Sequence, residues 1–524
     1  VGPLAFGASC CGPMAEAACV LVPAVDLLAT CSTGLEEVAA SEVRERLAGD
    51  LISEVRLEEG HLRFCVRSAG LARVRQLRCI ERLWAVLVEQ RGALSGLESA
   101  AEGDLGALAE LAARSDWAQA LGAWAEFCPR LATPLAAPLV AVGVVVDASY
   151  QGGRGVCEDI EDAPSSSSPA TGLRFRLKCH RAGPVAGQVG AQHGFSSLEA
   201  ASRFGGAIRA QRGWEVGLSK GHFDIDMILY VHGRDARAML RLSATDGEAS
   251  CAALPPQRVA ASALSRTALR PSVAAALARL RRGRRLACPS SEVVVDPMCG
   301  GGTLGMEVAA SWPNAYVLNG DSGVKEMQRF RQNRELLCKE VSNRHHAGAN
   351  SRTGCAEGFL WDAGRLPLRA ATADTFLTDL PWGKAVGSRE SNQALYPAML
   401  REVARVLRPG GSAVLLTKDT RLMTRTLDAT WAMESFVQPR DPPRIVNIGG
   451  LRAALYALER SETCWASLQG LGPSNDQSPA HAELQKLEAC LSELAAGRAT
   501  KQQRRKLNQK MHDLRTSPEY VAEA

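Results

Sequence analysis

Between Glu292 and Arg460 short apolar runs alternate with amphipathic stretches, and this alternation limits the fold more than any other feature of the chain. Val293–Val295, Ala315–Leu318, Ala373–Leu377 and Ala413–Thr417 read as buried strands. Gly302–Ala310, Val324–Val341 and Asn392–Val406 between them read as helices, and Arg444–Ile448 with Ala453–Leu458 form a terminal strand pair. Strands alternating with helices predict a doubly wound, mostly parallel α/β sheet.

Four places in this region carry chemistry. The first strand runs into Asp296-Pro297-Met298-Cys299-Gly300-Gly301-Gly302 and then a helix. Glycines let a ligand approach the backbone, and the helix start offers free N–H groups. The lysine of a phosphate-binding GxxxxGK[ST] loop is missing and the G-x-G-x-x-G spacing is not met. The arrangement instead suits a ligand bearing a carboxylate and an ammonium group. Helix N–H groups receive the former; Asp296 and backbone carbonyls receive the latter. Asp321 ends the next strand, where an acid is placed to bond ribose hydroxyls. Asp362, in Leu360-Trp361-Asp362-Ala363, could accept a bond from an adenine amine. Thr378-Asp379-Leu380-Pro381-Trp382-Gly383 puts an acid, a rigid turn and an aromatic at a strand end. Asp379 and a carbonyl of the Pro381 turn can accept from an exocyclic amine, and Trp382 can stack on a splayed base.

The first half of the chain reads differently. Residues 1–25 resemble an unstructured leader. Residues 26–150 begin as a small α+β unit: a strand at Asp26–Cys31, a helix at Leu35–Leu47, and a hairpin around Glu58-Glu59-Gly60. A helix near Ala69–Arg78 and a strand near Arg82–Val88 complete it. An alanine-rich helical stretch follows, with Trp117 and Trp124 as its anchors. Residues 151–172 form a polar linker. Residues 173–248 form a second α+β unit, with strands at Arg174–Cys179 and Phe223–Val231. A helix starts between them, capped by Ser196 or Ser197. The tail, 461–524, has Leu484, Leu487, Leu491 and Leu494 at helical spacing.

Charge is distributed unevenly. The net charge of +5 is too weak to imply a polyanionic partner by itself, but residues 249–291 hold eight arginines and no acid. That stretch is either a solvated helix face or a phosphate-contacting surface. The 16 cysteines are scattered with no CxxC pair, which suits a reduced compartment and offers no metal motif. No apolar run approaches the roughly 20 residues of a membrane span. The first basic residue is Arg44, so a secretory n-region is absent from the stretch before it. A cytoplasmic location, with the nucleus as a second site, is expected.

Together the four motifs resemble the class I S-adenosylmethionine-dependent methyltransferases, in the subgroup that methylates amines through an (Asn/Asp)-x-Pro-aromatic motif. The chain is similar more specifically to the THUMP-domain tRNA (guanine-N2)-methyltransferases. Thr33-Gly34-Leu35-Glu36, Arg181-Ala182-Gly183, Arg203-Phe204-Gly205-Gly206, Leu395-Tyr396-Pro397 and Asn447-Ile448-Gly449-Gly450 add to the likeness, which covers roughly residues 26–460. Departures are Leu380 in place of a first proline, Ser322-Gly323 after Asp321, and an insertion near Pro184–Gly194.

The resemblance implies a Rossmann-like class I methyltransferase domain (292–460) preceded by ferredoxin-like (26–150) and THUMP (173–248) α+β units and an arginine-rich linker (249–291). It implies S-adenosylmethionine as cofactor, held by Asp296, Met298, Cys299, Gly300, Gly302, Asp321, Asp362 and Asp379. Asp379, Pro381 and Trp382 would form the catalytic group. Lys178, Arg181, Arg203, Arg281, Arg282, Arg284 and Arg285 would contact RNA, a tRNA acceptor stem rather than DNA. A small zinc-ribbon activator subunit is the implied protein partner. N2-methylation of a spliceosomal small nuclear RNA is one rival reading and an idle RNA-binding scaffold another. The Ser-Gly-Gly-x-Asp-Ser loop of thiouridine synthesis is absent.

Overall fold

The computed structural model describes residues 24–96, 98–127, 173–182, 193–217, 223–242, 268–281, 291–346, 354–383, 387–437 and 443–462. The expected linker at 151–172 and the tail beyond 462 lie outside them, as does the expected leader except Ala24 and Val25, which begin the first strand. Two eight-stranded sheets carry the architecture.

The first sheet takes in β1 (Ala24–Thr30), β2 (Arg56–Glu58), β3 (His61–Arg67), β4 (Arg82–Gln90), β5 (Arg174–Ala182), β6 (Glu215–Val216), β7 (Ile225–His232) and β8 (Asp235–Arg241), in the order β2-β3-β1-β4-β8-β7-β5-β6. The sequence suggests two separate α+β units here. The structure joins them edge to edge through the antiparallel β4–β8 pair, with Ala85 opposite Leu240. Helices α1 (Glu36–Leu47), α2 (Ala101–Ala113), α3 (Trp117–Phe127) and α4 (Ser197–Arg212) accompany the sheet. Trp117 and Trp124 are buried, as anchors of that stretch. Ser196 is the N-cap of α4: its hydroxyl accepts from Glu199 N–H, while the Glu199 side chain accepts from Ser196 N–H. The helix expected at Ala69–Arg78 is reduced to one turn, Leu71–Val74, after a 3₁₀ turn.

The second sheet follows α5 (Pro271–Leu280). Its elements are β9 (Glu292–Asp296), α6 (Thr303–Ser311), β10 (Ala315–Asp321), α7 (Val324–His346), β11 (Cys355–Leu360), β12 (Ala373–Asp379), α8 (Arg389–Val406), β13 (Leu407–Thr417), α9 (Thr420–Leu427), β14 (Phe436–Val437), β15 (Arg444–Ile448) and β16 (Leu451–Arg460). The order is β11-β10-β9-β12-β13-β16-β14, with β15 paired to β16. β9 to β13 are parallel; β16 is antiparallel to its neighbours. The chain steps outward from β9 through β10 to β11 and then returns to β12 on the other side of β9. The carboxyl ends of β9 and β12 therefore meet at a topological switch point, where open α/β sheets hold ligands.

The expected arginine-rich linker contains α5. Pro271 sits at its first turn, where the missing N–H costs nothing, and Val273 to Ala278 are all buried. α5 packs on both α1 and α6, so one apolar core runs from the first sheet through α5 into Val294, Leu304 and Val308. Arg78 donates to both oxygens of Glu307 on α6, at 2.9 and 2.6 Å, with both side chains buried. Among the described residues no helix is long and apolar enough to cross a membrane.

Candidate active site

The carboxyl ends of β9, β10, β11 and β12 bring together the four sequence motifs. At the end of β9, Asp296 is buried and accepts from Met298 N–H at 3.3 Å. Gly302 has φ +85° and caps α6; a Cβ there would lie 2.4 Å from Phe330, so this glycine is a steric requirement. Gly300 has φ +53°, and a Cβ there would meet nothing within 4 Å. Open space above Gly300 is where a ligand can lie against the loop. Met298 is half-buried and packs on the core. Cys299 is buried, its N–H bonds the Gly320 carbonyl at 2.8 Å, and burial raises its thiol pKa well above normal. It is a packing residue rather than a nucleophile.

Two supports of this loop escape sequence reading. Asn333, fully buried on α7, donates to the Gly301 carbonyl at 2.8 Å. The Trp361 indole donates to the Pro297 carbonyl at 3.1 Å, and a Cβ at Gly320 would lie 2.0 Å from its ring. A buried asparagine within an amphipathic helix and a tryptophan beside Asp362 were the available signals.

Asp321 accepts from Gly300 N–H at 3.0 Å and Gly323 N–H at 2.8 Å. Burial raises its pKa, against those two N–H bonds. Burial pushes Asp296 up to about 8, and the charges of Asp321 and Asp379 add to this. Burial likewise pushes Asp379 up to about 7, against a bond from Trp382. Asp362 is exposed and accepts from Gly364 N–H at 2.8 Å. None of the three recessed acids, Asp296, Asp321 and Asp379, has an ion pair among the described residues. Nor do they form a group able to hold a metal ion.

The Asp379–Trp382 segment is braced from below. The Trp382 indole N–H donates to Asp379 Oδ1 at 2.9 Å, which leaves Oδ2 for another donor. The Pro381 carbonyl accepts from Asn392 Nδ2 at 2.8 Å and from the Tyr396 hydroxyl at 2.9 Å. Tyr396 in turn lies 2.7 Å from the Thr417 hydroxyl. The turn carbonyl expected to meet an amine is therefore not that of Pro381, whose oxygen is already taken. Leu380 N–H bonds the Leu416 carbonyl, and the Leu380 carbonyl has no partner among the described residues.

The expected RNA contacts divide. Arg281 is a correction: its side chain is fully buried, donates to both oxygens of Glu292 at 3.2 and 2.9 Å, and lies 4.0 Å from the centre of the Trp312 ring. It cannot reach a phosphate. Arg181 is half-buried; it donates to the Ser197 hydroxyl and the Phe195 carbonyl and ties β5 to the start of α4. Arg203 is half-exposed and paired with Glu102, and Lys178 is half-buried on β5. Arg282, Arg284 and Arg285 lie outside the described residues.

A family model described as an RMKL-like methyltransferase domain matches residues 258–440, which include the glycine loop and Asp379. The tRNA (guanine(6)-N(2))-methyltransferase THUMP3 of Mus musculus is 30% identical over 484 residues, 83% of this chain and 89% of that protein. The U6 snRNA (guanine-N(2))-methyltransferase THUMPD2 of Bos taurus is 28% identical over 262 residues, 50% of this chain and 44% of that protein. Among solved structures, TrmN from Thermus thermophilus has a TM-score of 0.56 at 22% identity, covering 83% of this chain and 99% of that one. That last likeness is one of fold.

Proposed function

Because the chain belongs to the family of the THUMP3 tRNA (guanine(6)-N(2))-methyltransferases, we propose that it methylates N2 of a guanine in the acceptor stem of tRNA. The chain is an S-adenosylmethionine-dependent methyltransferase with a class I fold. The observation that carries the reading is the set of three recessed carboxylates at the switch point without a basic partner. The cofactor carries a sulfonium and an ammonium, so acids awaiting positive charge fit it. Gly300 leaves room for it. Asp321 is placed for ribose hydroxyls, and Asp362 for an adenine amine. When bound, the cofactor supplies an electrophilic methyl group.

The protein's own part is orientation. The guanine amine is a poor nucleophile because its lone pair is delocalised into the ring. Asp379 Oδ2 and the Leu380 carbonyl can accept hydrogen bonds from its two N–H groups, turning the lone pair toward the methyl group; one of the two protons leaves to solvent once the methyl is gained. Trp382 fixes the carboxylate, Asn392 and Tyr396 fix the turn, and the reacting atoms are held in line. Asp379 must be ionised to accept, so transfer should rise with pH through about 7. Lys178 and Arg203 on the first sheet and its helix are offered as RNA contacts. A zinc-ribbon activator subunit is offered as a partner; it would co-purify in equal amount.

The test is to incubate the purified protein with tRNA and methyl-labelled cofactor and identify the modified nucleoside by mass spectrometry. N2-methylguanosine in tRNA is expected. Labelling of a U6-type RNA with none in tRNA would overturn the substrate assignment.

A further inference from the structure

Beside the braced turn, and outside every motif above, lies an open groove of about 410 Å³ lined by Thr420, Arg421, Thr424, Arg425 and Asp428. It is tied to the reaction site by a short chain of bonds. Asp419 N–H bonds the Thr417 hydroxyl at 3.0 Å, Thr417 meets Tyr396 at 2.7 Å, and Tyr396 holds the Pro381 carbonyl at 2.9 Å. β13 ends at Thr417 beside the end of β12, since Leu416 is the register partner of Asp379. α9 starts immediately afterwards, so Arg421 follows the carboxyl end of the strand beside β12.

The helix is anchored by its other face. Leu422, Met423, Thr426 and Leu427 are buried, whereas Arg421, Thr424 and Arg425 are exposed. Arg421 and Arg425 are one turn apart on one face. Neither has an ion-pair partner among the described residues, in contrast to Arg405 and Arg408 at the opposite end of β13, which pair with Glu402 and Asp374. Two unpaired guanidinium groups flanked by threonine hydroxyls are the side chains that hold phosphate oxygens. The residues lining the groove are two arginines, two threonines and an aspartate. Asp428, at the end of α9, repels phosphate and places the favourable end of the groove at Arg421.

We propose that this groove is a phosphate-contacting subsite of the RNA substrate, holding the backbone next to the base that enters the catalytic cleft. The proposal rests on the tRNA reading above. Anchoring the backbone there would keep the target nucleotide at the cleft rim while its base is turned toward Asp379.

The test reverses both charges with Arg421→Glu and Arg425→Glu in the full chain, with Arg421→Gln and Arg425→Gln as a milder pair. Cofactor binding by calorimetry and helical content by circular dichroism report on folding. Fluorescence anisotropy with tRNA at several salt concentrations reports on phosphate contacts, and steady-state transfer reports on use of the substrate. We expect intact cofactor binding, a KM for tRNA raised about tenfold or more, and a log–log salt slope reduced by roughly 1.4–1.8 for two lost contacts. The glutamine pair should show the same slope change with a smaller rise in KM. An unchanged KM and slope, with wild-type transfer intact, would overturn the subsite and leave the function standing. Loss of a co-purifying protein with normal RNA binding would also overturn it and mark a protein interface. A wild-type protein that neither binds nor methylates tRNA would overturn both readings.

Discussion

Buried and half-buried carboxylates occur in two settings in this molecule. Along the seam between the sheets and within the first sheet, Glu307, Glu292 and Asp226 are each met by arginine: Arg78, Arg281, and Arg176 with Arg241. At the switch point, Asp296, Asp321 and Asp379 are met among the described residues by backbone N–H groups, the Thr378 hydroxyl and an indole, and by no basic side chain. Two paired arginines lower the pKa of Asp226 against its burial, whereas burial raises that of all three cleft acids. A charge buried with its partner serves the fold. A charge buried without one costs stability and persists where a ligand supplies the missing charge.

The largest effect should come from breaking a seam pair. Arg281→Met removes the partner of a buried glutamate and should lower unfolding stability by about 3–5 kcal/mol in urea titration. Replacing both members of the Arg78–Glu307 pair, with Arg78→Met and Glu307→Met, should cost less than Arg78→Met alone. Equal losses would mean that the pair acts mainly through the packing of its side-chain stems.

Asp379→Ala tests the cleft side. Removing one transition-state acceptor should slow single-turnover methyl transfer about 100-fold, or about 2.7 kcal/mol, with a smaller change in cofactor affinity. A near-normal rate would show that another group orients the amine. Trp382→Phe keeps a ring and removes the indole donor, so transfer at pH 7 should fall about tenfold. Because that bond lowers the pKa of Asp379, the midpoint of the pH–rate profile should also move upward. A lower rate with an unmoved midpoint would reduce Trp382 to a packing role. Asp296 and Asp321 on the loop side, Tyr396 on α8 and Asp419 before α9 also act on this region, and none is altered by the substitution.

A further effect is on stability against pH. The folded pKa values of Asp296 and Asp379 are raised from 3.8 to about 8 and about 7. The folded state therefore binds more protons than the unfolded state across that window. Their contribution to stability is present below about pH 4 and is lost as pH rises toward 8. The melting temperature without cofactor should decline over this range, and saturating cofactor should offset the decline. A rise with pH in the absence of cofactor would contradict the assignment of raised pKa values.

The parts of the fold legible in sequence were those with strong local patterns. The strand–acid–glycine run at Val293–Gly302 and the motif at Asp379–Trp382 each announce a strand end. β11 was missed because Cys355-Ala-Glu-Gly-Phe-Leu360 is an edge strand with little apolar periodicity, and Phe359 and Leu360 stay exposed. Arg281 misled for a different reason. Charge suggested surface, but the partners of Arg281 are Glu292 and Trp312, brought to it by folding. Pairing between β4 and β8 spans about 150 residues of sequence and left no local trace. Asn392 and Thr417, which brace the catalytic turn with Tyr396, act through tertiary bonds and have no motif of their own.

The central claim is that the unpaired cleft carboxylates form the cation site of S-adenosylmethionine. Calorimetric titration with the cofactor between pH 5.5 and 7.5, in two buffers of different ionisation enthalpy, tests it most directly. An α-amino group keeps most of its proton over the lower part of that range, below about pH 7. Ionising Asp296 against the bound cation should release up to about one proton near pH 6.5, and affinity should rise with pH. Affinity that stays constant across the range, with no proton released, would contradict the claim.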